Sequence, residues 1–270
     1  LGASVGHYKN KVESLASGNY TTSVYGDNNI LTSVGHPVGL FYGYQTKGVF
    51  ATDADAKAAG KNGYLYMIDD AGNANYFKAG DVHFVDRNGN GRIDDNDKTV
   101  IGDPNPDIYG NIFATLNWKA FTLDLGINYC LGNDVYNYQR SLLNSGSTFY
   151  NQQVSEVSHW RYEGQQTDLP RLNYGDPLGN NRFSDRWIED GSYLRLKTVK
   201  LSYQIPIPQS WTSWLQGLQV WAEGVNLLTF TKYTGSDPEF SAGNGVLYQG
   251  IDCGNLALSR GFNFGLKINL

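Results

Sequence analysis

The sequence predicts an all-β protein, namely a transmembrane antiparallel up-and-down β-barrel segment of about six strands with long extracellular loops. Three observations lead to this prediction. The 270 residues include 19 Tyr, 12 Phe, 6 Trp and 32 Gly but a single Met, a composition that favours sheets and turns. Several segments carry apolar residues at every second position, as strands with one apolar face do. Short and long connections between these segments alternate along the chain.

The first half of the chain contains a weak strand near Leu1 to Tyr8 and one clear pair of strands. The pair covers residues 111–118 and 121–129, and only Lys119-Ala120 separates its members, so we expect a tight hairpin. Its apolar positions alternate with polar or small ones: Ile112, Ala114, Leu116 and Trp118, then Phe121, Leu123, Leu125, Ile127 and Tyr129.

The second half contains another hairpin and a final strand. Residues 199–205 and 218–222 alternate, and a Pro-containing connection joins them. The alternation slips near Thr198 and near Gly224, which indicates bulges or strands leaving the apolar zone. The final strand, 260–270, has five apolar residues on one face and Gly, Asn and Lys on the other. These apolar residues are Phe262, Phe264, Leu266, Ile268 and Leu270.

The remaining connections are long and cover roughly residues 10–110, 131–192 and 231–259. An up-and-down sheet in which every second connection is short has all its long loops at one end, as bacterial outer-membrane barrels do. A soluble β-sandwich also has alternating strands, but it does not ordinarily need such loops at one end only. Because a closed membrane barrel needs at least about 8 strands, we expect further strands from a longer polypeptide or a companion chain.

Composition excludes several functional classes. The net charge of −5 and the absence of a basic stripe argue against nucleic acid as a partner. Cys130 and Cys253 lack the paired spacing of a zinc site, and one disulfide and two free thiols are both compatible with them. No stretch approaches the roughly 20 apolar residues of a membrane helix. The chain begins at Leu1 without Met or a leader, so we expect a mature chain or a fragment.

The most specific local pattern is residues 86–97, which resembles a calcium-binding loop. Oxygen-bearing residues stand at positions 1, 3, 5, 9 and 12, Gly91 stands at the sharp turn, and position 7 offers its backbone carbonyl. The predicted ligands are Asp86, Asn88, Asn90, Arg92, Asp94 and Asp97. The loop departs from an EF-hand because Asp replaces Glu at the last position and no flanking helix is evident. The alternative is an Asx-rich turn held by its own side chains.

Aromatic and amide-rich loop segments are the candidates for ligand contact, because flat rings beside amides suit sugars and peptides. The predicted contact residues are Tyr136, Asn137, Tyr138, Arg140, Tyr150 and Trp160. The alternative for each is packing between loops or at the membrane interface. The four His residues are scattered and no hydrolase motif accompanies them, so the sequence does not predict an enzyme.

Five motifs, in order along the chain, resemble the C-terminal region of SusC-like (RagA-like) TonB-dependent transporters of Bacteroidota. The motifs are Val34 to Tyr44 (VGHPVGLFYGY), Gly80-Asp81-Val82 leading into the Asp86 loop, Ile101 to Asp107 (IGDPNPD), Arg186 to Lys197 (RWIEDGSYLRLK) and Asn226 to Glu239 (NLLTFTKYTGSDPE). Together they span nearly the whole chain.

The resemblance implies that residues 1–270 are the C-terminal portion of a 22-stranded outer-membrane barrel. In this interpretation residues 10–110 form a long extracellular loop region and residues 111–270 form the C-terminal strands and loops. It also implies a plug domain and a TonB contact in an N-terminal region that this sequence lacks, a SusD-like surface lipoprotein as partner, and oligosaccharide or peptide cargo. The alternative is a secreted, calcium-stabilised carbohydrate-binding β domain.

Overall fold

The computed structural model describes residues 1–26, 29–61, 63–239 and 241–270. Strands dominate it, as the sequence predicts. They are β1 (Gly2–Gly6), β2 (Tyr20–Ser23), β3 (Asn29–Thr32), β4 (Leu40–Gly43), β5 (Thr46–Val49), β6 (Tyr66–Ile68), β7 (Ala74–Tyr76), β8 (Val82–Phe84), β9 (Thr99–Gly102), β10 (Ile108–Trp118), β11 (Phe121–Leu131), β12 (Asp134–Asn137), β13 (Ile188–Asp190), β14 (Tyr193–Ile205), β15 (Gly217–Thr231), β16 (Ile251–Asp252) and β17 (Gly261–Asn269).

Helices are short. The α-helices are α1 (Asp53–Ala59) and α2 (Tyr138–Leu143), and 3-10 turns cover Asp95–Asp97, Val154–Ser158, Asp185–Trp187, Gln209–Trp211 and Val246–Tyr248. Thr52 caps α1 and Asn137 caps α2, each through a side-chain oxygen that accepts a backbone N–H. In the described parts of the chain, no helix has the length and apolar character that crossing a membrane requires.

A six-stranded antiparallel sheet contains every strand that the alternation predicted. Its order is β1-β10-β11-β14-β15-β17, and neighbouring strands follow one another up and down. Lys119 adopts φ +55° in the two-residue turn between β10 and β11, the left-handed conformation that such tight hairpins use. β14 and β15 extend beyond the predicted 199–205 and 218–222, because their loop-side ends also pair with neighbours.

The two faces of this sheet differ in chemistry. Because paired residues in adjacent strands point the same way, the register defines rows across the sheet. One row on the first face is Leu116, Leu123, Leu201, Ala222 and Phe264. The adjacent row on the opposite face is Thr115, Asp124, Lys200, Glu223 and Asn263. The apolar row is open to the surroundings, with Phe264 78% exposed, so the apolar face lacks a covering layer in the described chain.

A bulge keeps the apolar residues of β14 on one face. Lys197 is an extra residue of β14 that has no partner in β11. On the other side of β14, Asn226 and Leu227 of β15 lie opposite Lys197 and are likewise unpaired. Without the extra residue, Leu196 would point away from the face that Val199 occupies, because side chains alternate strictly along a strand. Asn226 adopts φ +54° at this irregularity. The slip predicted near Thr198 is therefore a bulge, and the slip predicted near Gly224 is its counterpart in β15.

The same bulge turns Arg195 onto the polar face, where it is almost fully buried. Its guanidinium lies 2.5 Å from Asp237 Oδ1 and 2.7 Å from Glu239 Oε2 and donates to Thr229 Oγ1 at 3.1 Å. Asp237 and Glu239 belong to the connection after β15. This connection is therefore held against the polar face of the sheet by a buried, hydrogen-bonded ion cluster.

The long connections fold into a body with its own cores, which we call the loop region (residues 7–107, 132–192 and 232–260). One core lies almost entirely in the first connection and consists of Tyr44, Phe50, Ala56, Leu65, Phe77, Val82, Phe84, Ile93 and Leu178. The second draws on all three connections and consists of Ile30, Phe41, Tyr136, Phe183, Trp187 and Ile251. The small sheets β2-β3-β4-β9 and β13-β12-β16 support these cores.

Candidate functional site

The six residues predicted to contact a ligand do not form one cluster. Tyr136 is 3% exposed and packs against Phe41 and Phe183 in the second core. Asn137 is also buried, where its side chain accepts from the N–H of Arg140 at 2.9 Å and donates to Glu189 at 3.0 Å. For these two residues the observed contacts are those of the packing alternative.

The remaining candidates lie in different surroundings. The ring of Tyr138 is 5.5 Å from that of Tyr25, whereas Tyr150 is 84% exposed. Trp160 is half-buried, donates from its indole to the carbonyl of Ala51 at 3.2 Å, and would collide with any side chain at position 80. Arg140 lines two pockets in the loop region, one of which it shares with Asn137. The role of the six residues as ligand contacts stays a prediction.

The pocket that Arg140 shares with Arg186, which we call the guanidinium pocket, has a volume of about 310 Å³. It lies beside the second core and combines two arginines with a buried indole. Its lining is Thr46, Gly48, Arg140, Asn144, Asp168, Leu169, Arg186 and Trp187. The guanidinium carbons of Arg186 and Arg140 lie 4.8 and 5.5 Å from the ring centre of Trp187. One buried indole ring thus contacts two cations by cation–π interaction.

Arg140 has a carboxylate partner. Its Nε lies 3.0 Å from Glu189 Oε1, an ion pair whose angle does not make a hydrogen bond. Glu189 also accepts from Asn137 and from the N–H and hydroxyl of Thr234. Arg140 donates through Nη2 to the carbonyl of Arg186, which fixes the two arginines relative to each other.

Arg186 is held by backbone carbonyls. It donates to the carbonyl of Asn180 at 2.9 Å and to that of Asp168 at 3.2 Å. Burial, together with the nearby charge of Arg140, lowers the pKa of Arg186 to about 10. The local sequence contains no signal for this site, because its two arginines are 46 positions apart and come together only through packing around Trp187.

The predicted calcium loop follows β8 and forms a series of Asx-type turns. Asp86 accepts from the N–H groups of Gly89, Asn90 and Gly91 at 2.7 to 3.2 Å. The carboxylate of Asp97 accepts from the N–H groups at positions 87 and 94, both at 2.9 Å, and is fully buried. In the described ranges, no group of three or more His, Cys, Asp or Glu side chains is arranged to hold a metal. Calcium binding by this loop stays a prediction.

The polar face of the sheet carries a second cavity, of about 610 Å³, beneath the loop region. Tyrosines and amide side chains form much of its lining, namely Tyr8, Tyr109, Asn111, Asn128, Tyr193 and Gln249. Cys130 also lines it, and both Cys130 and Cys253 are free thiols, so the single-disulfide alternative is wrong.

The chain is similar to bacterial TonB-dependent receptors over most of its length. It is 32% identical to a TonB-dependent receptor of Formosa agariphila over 243 residues, which are 87% of this chain and 22% of that receptor. It is 29% identical to the TonB-dependent receptor SusC of Bacteroides thetaiotaomicron over 161 residues, 59% of this chain and 15% of SusC. The chain thus spans about a quarter or less of these relatives. No protein-family model matches it.

Solved structures agree on the fold. The RagAB peptide transporter matches with a TM-score of 0.73 at 21% identity, over 98% of this chain and 26% of the transporter chain. The same importer in its "open-open" state matches with a TM-score of 0.65. At these identities the likeness establishes the architecture, and the six-stranded sheet is accordingly part of a β-barrel.

Proposed function

Because this chain is homologous to a segment of TonB-dependent receptors of the SusC and RagA kind, we propose that it is part of the barrel of an outer-membrane importer. The importer takes up oligosaccharides or peptides, works with a SusD-like surface lipoprotein and is energised by TonB. The last two features follow from the family resemblance and involve parts of the whole protein beyond this segment.

One observation carries the proposal, and it is the uncovered apolar face of the six-stranded sheet. A soluble sandwich buries such a face against a second sheet, whereas Leu116, Leu201 and Phe264 remain exposed here. Lipid is the surrounding that an apolar band of this kind fits, and the charged row on the opposite face fits a water-filled or plugged lumen. Both outer strands, β1 and β17, also have an unpaired edge in the described chain, which further strands of a barrel would complete.

Cargo and partner are proposed from the relatives and from the loop region. RagAB is a peptide importer, and SusC is a TonB-dependent receptor. The aromatic and amide lining of the cavity beneath the loop region is compatible with either sugars or peptides. No catalytic role is proposed, since the relatives are receptors and transporters.

The proposal is tested with the full-length protein in the bacterium that encodes it. We expect the protein in the outer-membrane fraction, requiring detergent for extraction, and we expect deletion of its gene to abolish growth on an oligosaccharide or peptide source that supports the parent strain. Recovery of a monodisperse, detergent-free protein from the medium would instead support a secreted binding domain. Undiminished growth of the deletion strain on every such source would contradict an import role.

Calcium binding is a separate proposal with its own test. We expect isothermal titration of the intact, chelator-treated protein to detect calcium uptake, and the double variant Asp86→Ala with Asp97→Ala to lose it. Since these carboxylates also accept backbone N–H groups, Asn88→Ala serves as a milder variant that removes one ligand oxygen and a single turn contact. If the intact protein shows no heat of calcium binding, the calcium proposal is wrong and the loop is an Asx-rich turn held by its own side chains.

A further inference from the structure

Arg186 makes no ion pair with a carboxylate, unlike Arg140 and Arg171 of the same loop region. Arg171 makes two hydrogen bonds, of 2.9 and 2.8 Å, to the buried carboxylate of Asp81, and Arg140 pairs with Glu189. Within the described ranges, no carboxylate oxygen lies within 4.0 Å of the Arg186 guanidinium. Charges withdrawn from water are ordinarily paired, because an isolated charge in a low-dielectric surrounding is strongly disfavoured.

Arg186 also has donors left over. A guanidinium carries five N–H groups. Two hydrogen bonds, to the carbonyls of Asn180 and Asp168, hold it in place. The guanidinium thus lines the pocket with donors to spare and with its orientation already fixed by those carbonyls and by the ring of Trp187. Such a fixed, planar donor fork matches the two oxygens of a carboxylate.

Asn144 supplies an independent indication of a ligand. It lines the same pocket and is 7% exposed, and its Nδ2 donates to Ser155 at 3.0 Å. Its Oδ1 has no hydrogen-bond partner. A buried acceptor without a donor destabilises the folded protein, so a ligand hydroxyl or N–H that reaches Oδ1 would supply the hydrogen bond that it lacks in the chain.

We propose that the guanidinium pocket binds a carboxylate group of the cargo, which pairs with Arg186 while a neighbouring hydroxyl or N–H of the ligand donates to Asn144. A uronic acid unit of an oligosaccharide has both groups, and so does the C-terminal residue of a peptide. The pocket volume, about 310 Å³, is at the lower end for small-molecule sites, so it accommodates one such unit rather than a chain. The identity of the ligand as cargo rests on the proposed import function, whereas binding itself does not.

Binding is measured by isothermal titration calorimetry on the purified full-length protein in detergent. The acidic probes are trigalacturonate and the peptide Ala-Ala-Glu, and the neutral counterparts are maltotriose and the amidated peptide Ala-Ala-Gln. We expect one acidic probe to bind at least about tenfold more tightly than its neutral counterpart, equivalent to about 1.4 kcal/mol. The probe that binds identifies the carboxylate source as sugar or peptide.

The decisive variant is Asn144→Asp, which is nearly isosteric and places a carboxylate inside the pocket. It is expected to weaken binding of the acidic probe at least about tenfold, because its negative charge repels the carboxylate of the ligand. Arg161→Gln is the matched control, since Arg161 is an exposed guanidinium outside the pocket, and it is expected to leave binding within about twofold.

The outcomes separate this inference from the import proposal. Equal affinity for acidic and neutral probes, no binding of either acidic probe, or unchanged binding by Asn144→Asp would each overturn the carboxylate site. Two results together would uphold the site and reject the import role. The purified protein would bind an acidic probe that the Asn144→Asp variant does not bind, and deletion of the gene would not impair growth.

Discussion

Arginine placed on the apolar face of β17 should destabilise the barrel in proportion to its depth in the membrane. The apolar side of β14 runs from Leu194 to Ile205, eleven residue steps, or roughly 36 Å at about 3.3 Å per residue. A tilt of about 40° reduces this to roughly 28 Å, close to the apolar band of about 25 Å in outer-membrane barrels. Phe264 lies in the row of Leu201 and is four residues from Ile268 along β17, a difference in depth of roughly 10 Å at the same tilt.

Phe264→Arg should therefore destabilise folding by about 2–4 kcal/mol, a change of roughly 30- to 900-fold in the folding equilibrium. Ile268→Arg lies at the edge of the band, in the row of Ile205, and should destabilise by about 0–1 kcal/mol. Asn263→Arg is the matched control. It occupies the neighbouring position on the opposite face, beside Glu223, and should be close to neutral.

The assay is the fraction of full-length protein that folds into phospholipid vesicles over a guanidinium series, measured by the mobility shift of unheated samples on SDS gels. The midpoint for Phe264→Arg should fall well below those of the other two variants. Equal midpoints for Phe264→Arg and Asn263→Arg would refute the assignment of faces. Equal midpoints for Phe264→Arg and Ile268→Arg would refute the assignment of depth.

Three further predictions concern packing and charge. Arg195→Leu leaves the carboxylate of Asp237 buried without its cation, so we expect the free energy of unfolding to decrease by about 3–5 kcal/mol. Limited proteolysis of the folded variant should accordingly cleave residues 232–260 faster than in the parent protein. Gly265→Val should destabilise by about 1–3 kcal/mol in the vesicle assay, because a Cβ there would lie 2.3 Å from an indole on β15, whereas Gly261→Val meets no atom within 4 Å and serves as control. Burial raises the pKa of Glu156, so its carboxyl group holds a proton more readily in the folded protein than in the unfolded chain. The free energy of unfolding therefore decreases as pH rises through the folded-state pKa of this group. Calorimetry should accordingly show that Glu156→Gln raises the unfolding temperature at about pH 8 and leaves it nearly unchanged at about pH 4.

The sequence predicted the six-stranded sheet because one-sided exposure to an apolar surrounding imposes a period of two on every strand. The bulge at Lys197 was visible for the same reason, as a change of phase between Leu196 and Val199. The lengths of β14 and β15 were underestimated, because their ends pair with neighbours beyond the regular alternation.

The loop region was not predictable in the same way. Its second core joins Phe41, Tyr136 and Ile251, residues with no shared local pattern. An aromatic and amide-rich segment looks alike whether it faces a ligand or fills a core, so Tyr136 was predicted as a contact but lies buried in packing. Conversely, Asn144 escaped notice because a single amide residue has no signature until its burial is known.

The makeup of the second core has a consequence for how the protein matures. Ile30 and Phe41 come early in the chain, whereas Ile251 comes 210 positions after Phe41, beyond five of the six sheet strands. Contacts between such distant positions form late, because long chain segments must be closed first. With the loop region outside the membrane, as the proposed function implies, its folding cannot be complete until nearly the last hairpin has been inserted. A polypeptide stalled earlier would then expose an incompletely folded, protease-sensitive loop region.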